Sequence, residues 1–384
     1  MGLFETRIER LAKWAKGEKA PPVTIELVPT DRCDLNCLSC WRRGWSEEQL
    51  KKRYAEEMSD ERLLKLVEEA AELGVKEIAF VGGGEPLMRS VTIELFKKMK
   101  KYGMIGDLVT NGTLFTKESI ELLVKIGWDR IKFSIDGPDA EIHDYLRQTK
   151  GAFKTTTRNI KLFAETKKKY KTEKPMLILQ SVLSVENYKK LPELAKLGHK
   201  LGVNEMTLLP LTVFDESMKN LKLSEKQIKE FIPILKKTIK MLENFGIGGN
   251  YSEFLNEEYI LKTESMNEVM IKEMEKMIKG EYPSSKDPIK NFEFLPCYAP
   301  WIHVTILPNG NIAPCFSPWV WNTKVSIKEK SLKELWYGKY FNKFRRIILS
   351  RKLPENCKKC CVWEVFNNRK IRKGLQELLE GKHE

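Results

Sequence analysis

The sequence predicts an α/β protein whose parallel sheet curls into a barrel or partial barrel. Three observations carry that prediction. Short apolar strands alternate with amphipathic helical stretches through six consecutive βα units. The connections are short, so right-handed crossovers would lay each helix back on the sheet. Nearly every chemically unusual residue falls just after a strand, where folds of this kind build their active sites. With 384 residues there is room for one large domain with an appendage, or for two domains. A composition 42% hydrophobic and 31% charged is globular and excludes general disorder.

In chain order, residues 1–20 alternate charged Glu5, Arg7, Glu9 and Arg10 with apolar Leu3, Phe4, Ile8 and Leu11. That is a short amphipathic helix, without the apolar core of a signal peptide. Strand 23–28 leads through a long loop to helix 59–73. Then follow strand 76–81 and helix 91–102, strand 105–110 and helix 117–126, and strand 130–135 and helix 153–169. Strand 176–183 precedes helix 188–201, and strand 205–211 precedes helix 224–245, which a Ser224–Gln227 capping box opens. Residues 250–281 are polar, with helical apolar spacing at Phe254, Leu255, Tyr259, Ile260 and Met266, and read as solvated packing helices. Residues 283–288 read as a linker. Beyond it, strand 301–306 and the turn Pro308, Asn309, Gly310, Asn311 predict a hairpin returning through Ile312 to Cys315.

The loop after the first strand holds Cys33, Cys37 and Cys40, three thiols within eight residues. Three soft thiolates suit iron–sulfur chemistry better than a structural zinc, which takes four closed ligands. A cubane held by three cysteines keeps one iron open for a ligand that is not protein. Cys37 and Cys40 alone would also fit a redox dithiol. Further rim motifs follow the later strands: Gly82, Gly83, Gly84, Glu85 and Pro86; Thr110, Asn111 and Gly112; Ser134 to Gly137; Ser184 to Asn187; and Pro210 to Thr212. The glycine run reads either as a turn with positive φ or as a place where a ligand nears the backbone, with Glu85 offering a carboxylate to an ammonium group.

Five more cysteines, Cys297, Cys315, Cys357, Cys360 and Cys361, lie in the last third. The hairpin would bring Cys297 and Cys315 toward one end, where Cys357 and Cys360 could close a four-thiolate site. A zinc ribbon fits the same spacing. Trp301, Phe316, Trp319 and Trp321 surround Cys315 in sequence and would shield such a site or fill a small core. Eight cysteines in a chain with no membrane-spanning apolar run predict a cytoplasmic protein using thiols for metal or catalysis. The net charge of +14 permits a polyanionic partner such as nucleic acid, but the lysine runs alternate with glutamates, as on solvated helix faces.

These residues carry a resemblance. The cysteine loop, with Trp41 directly after the third cysteine, resembles the signature of radical S-adenosylmethionine (radical SAM) enzymes. Gly83 to Pro86 is similar to their motif after the second strand, and Phe133 to Pro138 with His143, Asp144 and Arg147 is similar to their fourth unit. The resemblance covers residues 23–212 and implies a partial (β/α)6 barrel. It implies that a [4Fe–4S] cluster on Cys33, Cys37 and Cys40 chelates S-adenosylmethionine. Gly83, Gly84 and Glu85 would then hold its amino group, Ser134 would approach its ribose, and Arg147 would reach a carboxylate. The chemistry implied is reductive cleavage to a 5′-deoxyadenosyl radical that abstracts a hydrogen atom from a substrate.

The C-terminal cysteines around the hairpin resemble the Twitch extension, the short relative of the SPASM domain, which implies a second, auxiliary [4Fe–4S] cluster on Cys297, Cys315, Cys357 and Cys360. Cys361 would be a spare thiol, an alternative to Cys360, or a substrate contact. The implied domains are an N-terminal helix over 1–22, a core barrel over 23–215, a helical segment and linker over 216–290, and an auxiliary-cluster domain over 291–384. The implied activity is that of a radical SAM oxidoreductase or maturase, oxidising or cross-linking a peptide or cofactor precursor, with an electron donor such as ferredoxin or flavodoxin. The alternative is a radical SAM dehydrogenase or coupling enzyme for a small molecule or lipid. A non-catalytic two-cluster electron carrier and a zinc-containing nucleic-acid binder are the rivals from other classes; the convergence of motifs on one rim counts against both.

Overall fold

The computed structural model describes residues 2–255, 286–315, 324–351, 353, 357 and 362–381. In chain order its elements are α1 (Leu3–Ala15), β1 (Thr24–Leu27), α2 (Glu47–Ala55), α3 (Asp60–Leu73), β2 (Glu77–Phe80), α4 (Thr92–Lys101), β3 (Ile105–Thr110) and α5 (Lys117–Lys125). There follow β4 (Arg130–Ser134), α6 (Ala140–Arg147), α7 (Ala152–Tyr170), β5 (Met176–Val182), α8 (Leu191–Leu201), β6 (Glu205–Leu209), α9 (Glu225–Phe245) and β7 (Gly248–Gly249). The described C-terminal elements are α10 (Pro288–Glu293), α11 (Ala299–Ile302), β8 (His303–Ile306), β9 (Ile312–Ala313), α12 (Leu332–Tyr337), α13 (Lys339–Leu349) and α14 (Val362–Leu379). The predicted strand–helix alternation is therefore present, and Ser224 caps α9 through the expected box with Gln227.

The described residues fall into two compact units. The larger comprises those within Val28–Glu56 and Phe80–Glu264. Its strands run parallel in the order β7-β6-β5-β4-β3. Ile131, Phe133, Leu177, Leu179, Met206 and Leu208 are fully buried on these strands, as expected of a sheet covered by helices. Phe115, Phe133 and Phe163 pack edge-on or tilted, with ring centroids 4.9–5.8 Å apart, and tie α7 to the sheet.

The other unit comprises the described residues within Met1–Leu27, Glu57–Ala79 and Ser265–Glu384. Its strands are ordered β2-β1-β8-β9. The predicted hairpin is present: β9 runs antiparallel to β8 with Ile312 opposite Ile306, and Gly310 turns with φ of 81°. β8 also lies parallel to β1, from Thr24 opposite His303 to Leu27 opposite Ile306. The core of this unit joins Ile8 and Leu11 of α1 to Phe292, Tyr298, Trp301, Ile371 and Leu375.

Some local expectations are corrected. The strand expected over 301–306 begins at His303, because Pro300 starts a helical turn over Ala299–Ile302. Gly82, Gly83 and Gly84 have no positive φ, so a left-handed turn is not why they are glycines. Helices α2 and α6 were not among the predicted elements. Most of the polar stretch predicted over 250–281, together with Phe316, Trp319, Trp321, Cys360 and Cys361, lies outside the described residues.

Candidate active site

Within the larger unit, the segment after β1 is fixed by backbone pairing with the glycine run. Gly84 N–H donates to Thr30 O at 2.9 Å, and Glu85 N–H donates to Arg32 O at 2.8 Å. A Cβ on Gly84 would sit 1.9 Å from Arg32 O, and one on Gly83 would sit 2.4 Å from Asp31 Oδ1. The glycines thus let two loops lie against each other directly in front of Cys33. This close approach of protein to protein is the reason for the run.

Glu85 is buried, with both oxygens engaged. Its Oε1 accepts from Thr110 Oγ1 at 2.8 Å and Leu87 N at 3.2 Å, and its Oε2 accepts from Asn111 N at 2.7 Å. Burial pushes its carboxyl up to about 7, against the pull of these donors. Asn111 extends the chain of contacts: its Nδ2 donates to Asp34 Oδ1 at 2.7 Å and lies 4.0 Å from Cys33 Sγ, while Thr113 Oγ1 donates to Asp34 Oδ2. Asp34 and Asn111 therefore fix the start of the cysteine loop. Neither was singled out as a site residue from sequence, although Asn111 stands at a strand end where such residues belong.

The fourth βα unit braces the middle of the same loop. Asp136 Oδ2 pairs with Arg147 Nη2 at 2.8 Å, Asp136 Oδ1 accepts from Val182 N at 2.9 Å, and Asp136 N donates to His143 Nδ1 at 3.2 Å. Arg147 Nη1 then reaches Cys37 Sγ at 3.6 Å, and Leu38 N donates to Leu146 O at 2.8 Å. Arg147 Nε is buried and has no acceptor. The carboxylate that Arg147 pairs with is thus one of the protein's own, and its charge faces a cysteine of the loop. Ser134 ends β4, half-buried, in register with Gln180. Trp41 packs edge-on against Trp45 at 4.9 Å, and Trp45 lies under the Arg53 guanidinium.

Cys33, Cys37 and Cys40 share one small cluster with Leu35 and Ala152. Burial pushes the Cys33 thiol up to about 12 and raises Cys40 as well, so both favour the protonated form until a cation replaces the proton. Among the described residues no three Cys, His, Asp or Glu side chains close around a single metal ion. A multi-iron cluster does not ask for that, since each thiolate takes a separate iron at a different corner. An all-thiol donor set, Cys37 buried and Cys33 and Cys40 half-buried, with Arg147 adjoining, fits an iron–sulfur cluster.

In the other unit, Cys297 packs against the Trp301 core, and Cys315 follows β9. Both are half-buried, as is Cys357, whose thiol burial also raises. Cys360, the fourth expected ligand, and Cys361 lie outside the described residues.

A family model for the radical SAM superfamily matches residues 27–198, and one for the SPASM iron–sulfur cluster-binding domain matches residues 297–361. The chain thus carries a radical SAM domain over residues 27–198 and a SPASM domain over residues 297–361. Over 193 residues it is 32% identical to the tungsten-containing aldehyde ferredoxin oxidoreductase cofactor-modifying protein of Pyrococcus furiosus, covering 49% of this chain and 52% of that one. It is 33% identical over 199 residues to an AdoMet-dependent heme synthase of Methanosarcina barkeri, covering 51% and 53%. The chain thus spans about half the length of these curated relatives. Among solved structures, Streptococcus suis SuiB bound to S-adenosylmethionine aligns with a TM-score of 0.63 over 88% of this chain and 71% of that one, at 16% identity. At that identity the likeness concerns the fold, an α/β core of parallel strands. The radical SAM match contains the whole network from Cys33 through Glu85 and Asn111 to Arg147. Among the described residues no helix is long and apolar enough to cross a membrane.

Proposed function

We propose that this protein is a radical SAM enzyme in which Cys33, Cys37 and Cys40 hold a [4Fe–4S] cluster and S-adenosylmethionine fills its open iron. The observation that carries the reading is the placement of the three thiols. They share one small cluster, Cys37 buried and Cys33 and Cys40 half-buried, on a loop braced by Asn111 from one βα unit and Arg147 from another. When bound, the cluster and cofactor together supply one-electron cleavage of a sulfonium carbon–sulfur bond and so a carbon radical for hydrogen abstraction. The protein's part is to hold and to exclude. Asp34 and Asn111 set the Cys33 end of the loop. Arg147 sets positive charge beside Cys37, offsetting the negative charge of a thiolate cluster. The backbone at Gly83 and Gly84, together with Glu85, Ser134 and Arg147, is proposed to bind S-adenosylmethionine.

The same reading gives Cys297, Cys315, Cys357 and Cys360 an auxiliary [4Fe–4S] cluster, supported by the SPASM match. It divides the chain into a core barrel over 23–215 and an auxiliary domain over 291–384. The substrate class proposed is a peptide or cofactor precursor that is oxidised or cross-linked, with a ferredoxin or flavodoxin as donor, in the cytoplasm. Support comes from the cofactor-modifying and heme-synthesising relatives, and from SuiB, which has been solved with its precursor peptide.

Anaerobic reconstitution tests the cluster assignment. The wild type should bind about eight irons per chain and the Cys33, Cys37 and Cys40 triple alanine variant about four. Equal iron in the two proteins would remove the first cluster from these cysteines. About four irons with stoichiometric zinc in the wild type would replace the auxiliary cluster with a zinc site.

A further inference from the structure

The cysteine loop is thin on its outer side. Arg32, Asp34 and Asn36 are exposed, while the intervening Leu35 and the neighbouring Cys37 are buried. Whatever the thiols hold therefore lies close beneath that surface. The corner between α6 and α7 borders it: Ala152, the first residue of α7, packs with Leu35 and Cys37, and Leu146 O accepts from Leu38 N. Lys150, Lys154 and Arg158 follow one another at a spacing of four residues about Ala152, and all three are exposed. Tyr145, on the preceding helix, is 51% exposed. On the loop itself Arg43 is exposed, and its Nη1 donates to Asn36 O at 3.3 Å.

Helix stability does not explain this cationic row. Like charges at that spacing repel, cations at the start of a helix oppose its macrodipole, and the first turn of α7 holds no acid. Among the described residues Lys150, Lys154 and Arg158 have no ion-pair partner, whereas further along α7 Lys161 pairs with Glu165 and Lys169 with Glu121. Nearby acids are engaged elsewhere. Asp144 accepts from Gly151 N and Phe153 N, Asp34 accepts from Asn111 and Thr113, and Glu141 stands at the far end of α6. Asp215 lies in the field of Arg43 and offsets part of its charge, so the row on α7 carries the argument. Uncompensated cations beside an exposed tyrosine suit a transient anionic protein partner, because complementary charge speeds encounter and orients the partner.

We propose that Tyr145, Lys150, Lys154 and Arg158 form the docking surface for an acidic one-electron carrier protein, which sets its redox group over the loop from Cys33 to Cys40. The inference rests on the radical SAM reading, which supplies the cluster to be reduced. One electron leaves the carrier, which is oxidised, and enters the cluster, which is reduced; no bond forms or breaks.

The test is calorimetric titration of the anaerobically reconstituted full chain with oxidised flavodoxin, a carrier of net negative charge, at low and at high ionic strength. Lys150→Glu combined with Lys154→Glu should weaken binding about tenfold, and added salt should weaken wild-type binding as well. Lys196→Glu combined with Lys200→Glu, at exposed positions of α8, changes the net charge equally and should move the affinity by less than about twofold. Glutamates suit the start of α7, so the α7 variant should be at least as stable as the wild type. A second readout is 5′-deoxyadenosine release driven by subsaturating reduced flavodoxin. It should fall by the same factor in the α7 variant, while release driven by dithionite stays at the wild-type level. Equal affinity in the wild type and the α7 variant, an equal loss in the α8 variant, or no salt-sensitive binding of flavodoxin to the wild type would overturn the docking surface. Binding that depends on Lys150 and Lys154, with no release even under dithionite, would support the surface and count against the radical SAM reading alone.

Discussion

Gly84 and Arg147 show how single residues decide whether the cysteine loop has a shape at all. A methyl group on Gly84 would meet the Arg32 carbonyl at 1.9 Å, so the Thr30–Gly84 and Arg32–Glu85 backbone pairing would have to open. Gly84→Ala should therefore destabilise the fold by about 1–3 kcal/mol, the range for forced overpacking, measured by chemical denaturation. A neutral result would mean that the two loops are free to part. Arg147→Met leaves Asp136 buried with its cation gone, and should cost about 3–5 kcal/mol in the same assay. Asp136→Asn should cost a comparable amount, because it leaves the buried Arg147 cation without its carboxylate even though Oδ1 still accepts from Val182. Of these residues, the cysteines, Gly83 and Glu85 were legible from sequence because their spacing and their place after strands mark them, and Arg147 only through the family resemblance. Asp34 and Asn111 were not, since a hydrogen bond between side chains 77 positions apart leaves no local pattern.

At the scale of elements, α6 joins chemistry to stability. His143 is buried and neutral, and its Nδ1 accepts from Asp136 N. Burial, with Arg147 nearby, lowers its proton affinity to about 3, from an ordinary histidine value of about 6.5. The folded-state value is depressed, so this contribution to stability is complete above about pH 6.5 and drains away as pH falls toward 3, with a slope of up to about 1.4 kcal/mol per pH unit. His143→Gln, which retains an acceptor and does not titrate in this range, should flatten the fall of stability between pH 6.5 and 4 relative to wild type. Parallel pH curves for the two proteins would contradict the assignment. The long helices were legible because their apolar stripes and caps are local, as at Ser224 and Gln227. The helix α2 is short and polar with none of its residues buried, so periodicity carries no signal for it.

At the scale of the whole molecule, the parallel core was legible because β1 to β6 are short, mainly apolar runs that alternate with helices. The pairing of β8 with β1 was not, because partners such as Ile25 and Val304 are joined by no turn and lie at opposite ends of the chain. The hairpin of β8 and β9 was visible because Asn309 and Gly310 announce it. On the proposed function, the cysteine loop, braced from two sides, serves to deliver a radical from S-adenosylmethionine. The most direct test is to mix the reconstituted protein with dithionite and S-adenosylmethionine under anaerobic conditions and quantify 5′-deoxyadenosine. The wild type should release it, and the Cys33, Cys37 and Cys40 triple alanine variant should release none even with its auxiliary cluster intact. A wild type carrying its full iron yet releasing no 5′-deoxyadenosine, or a triple variant that releases as much, would contradict it.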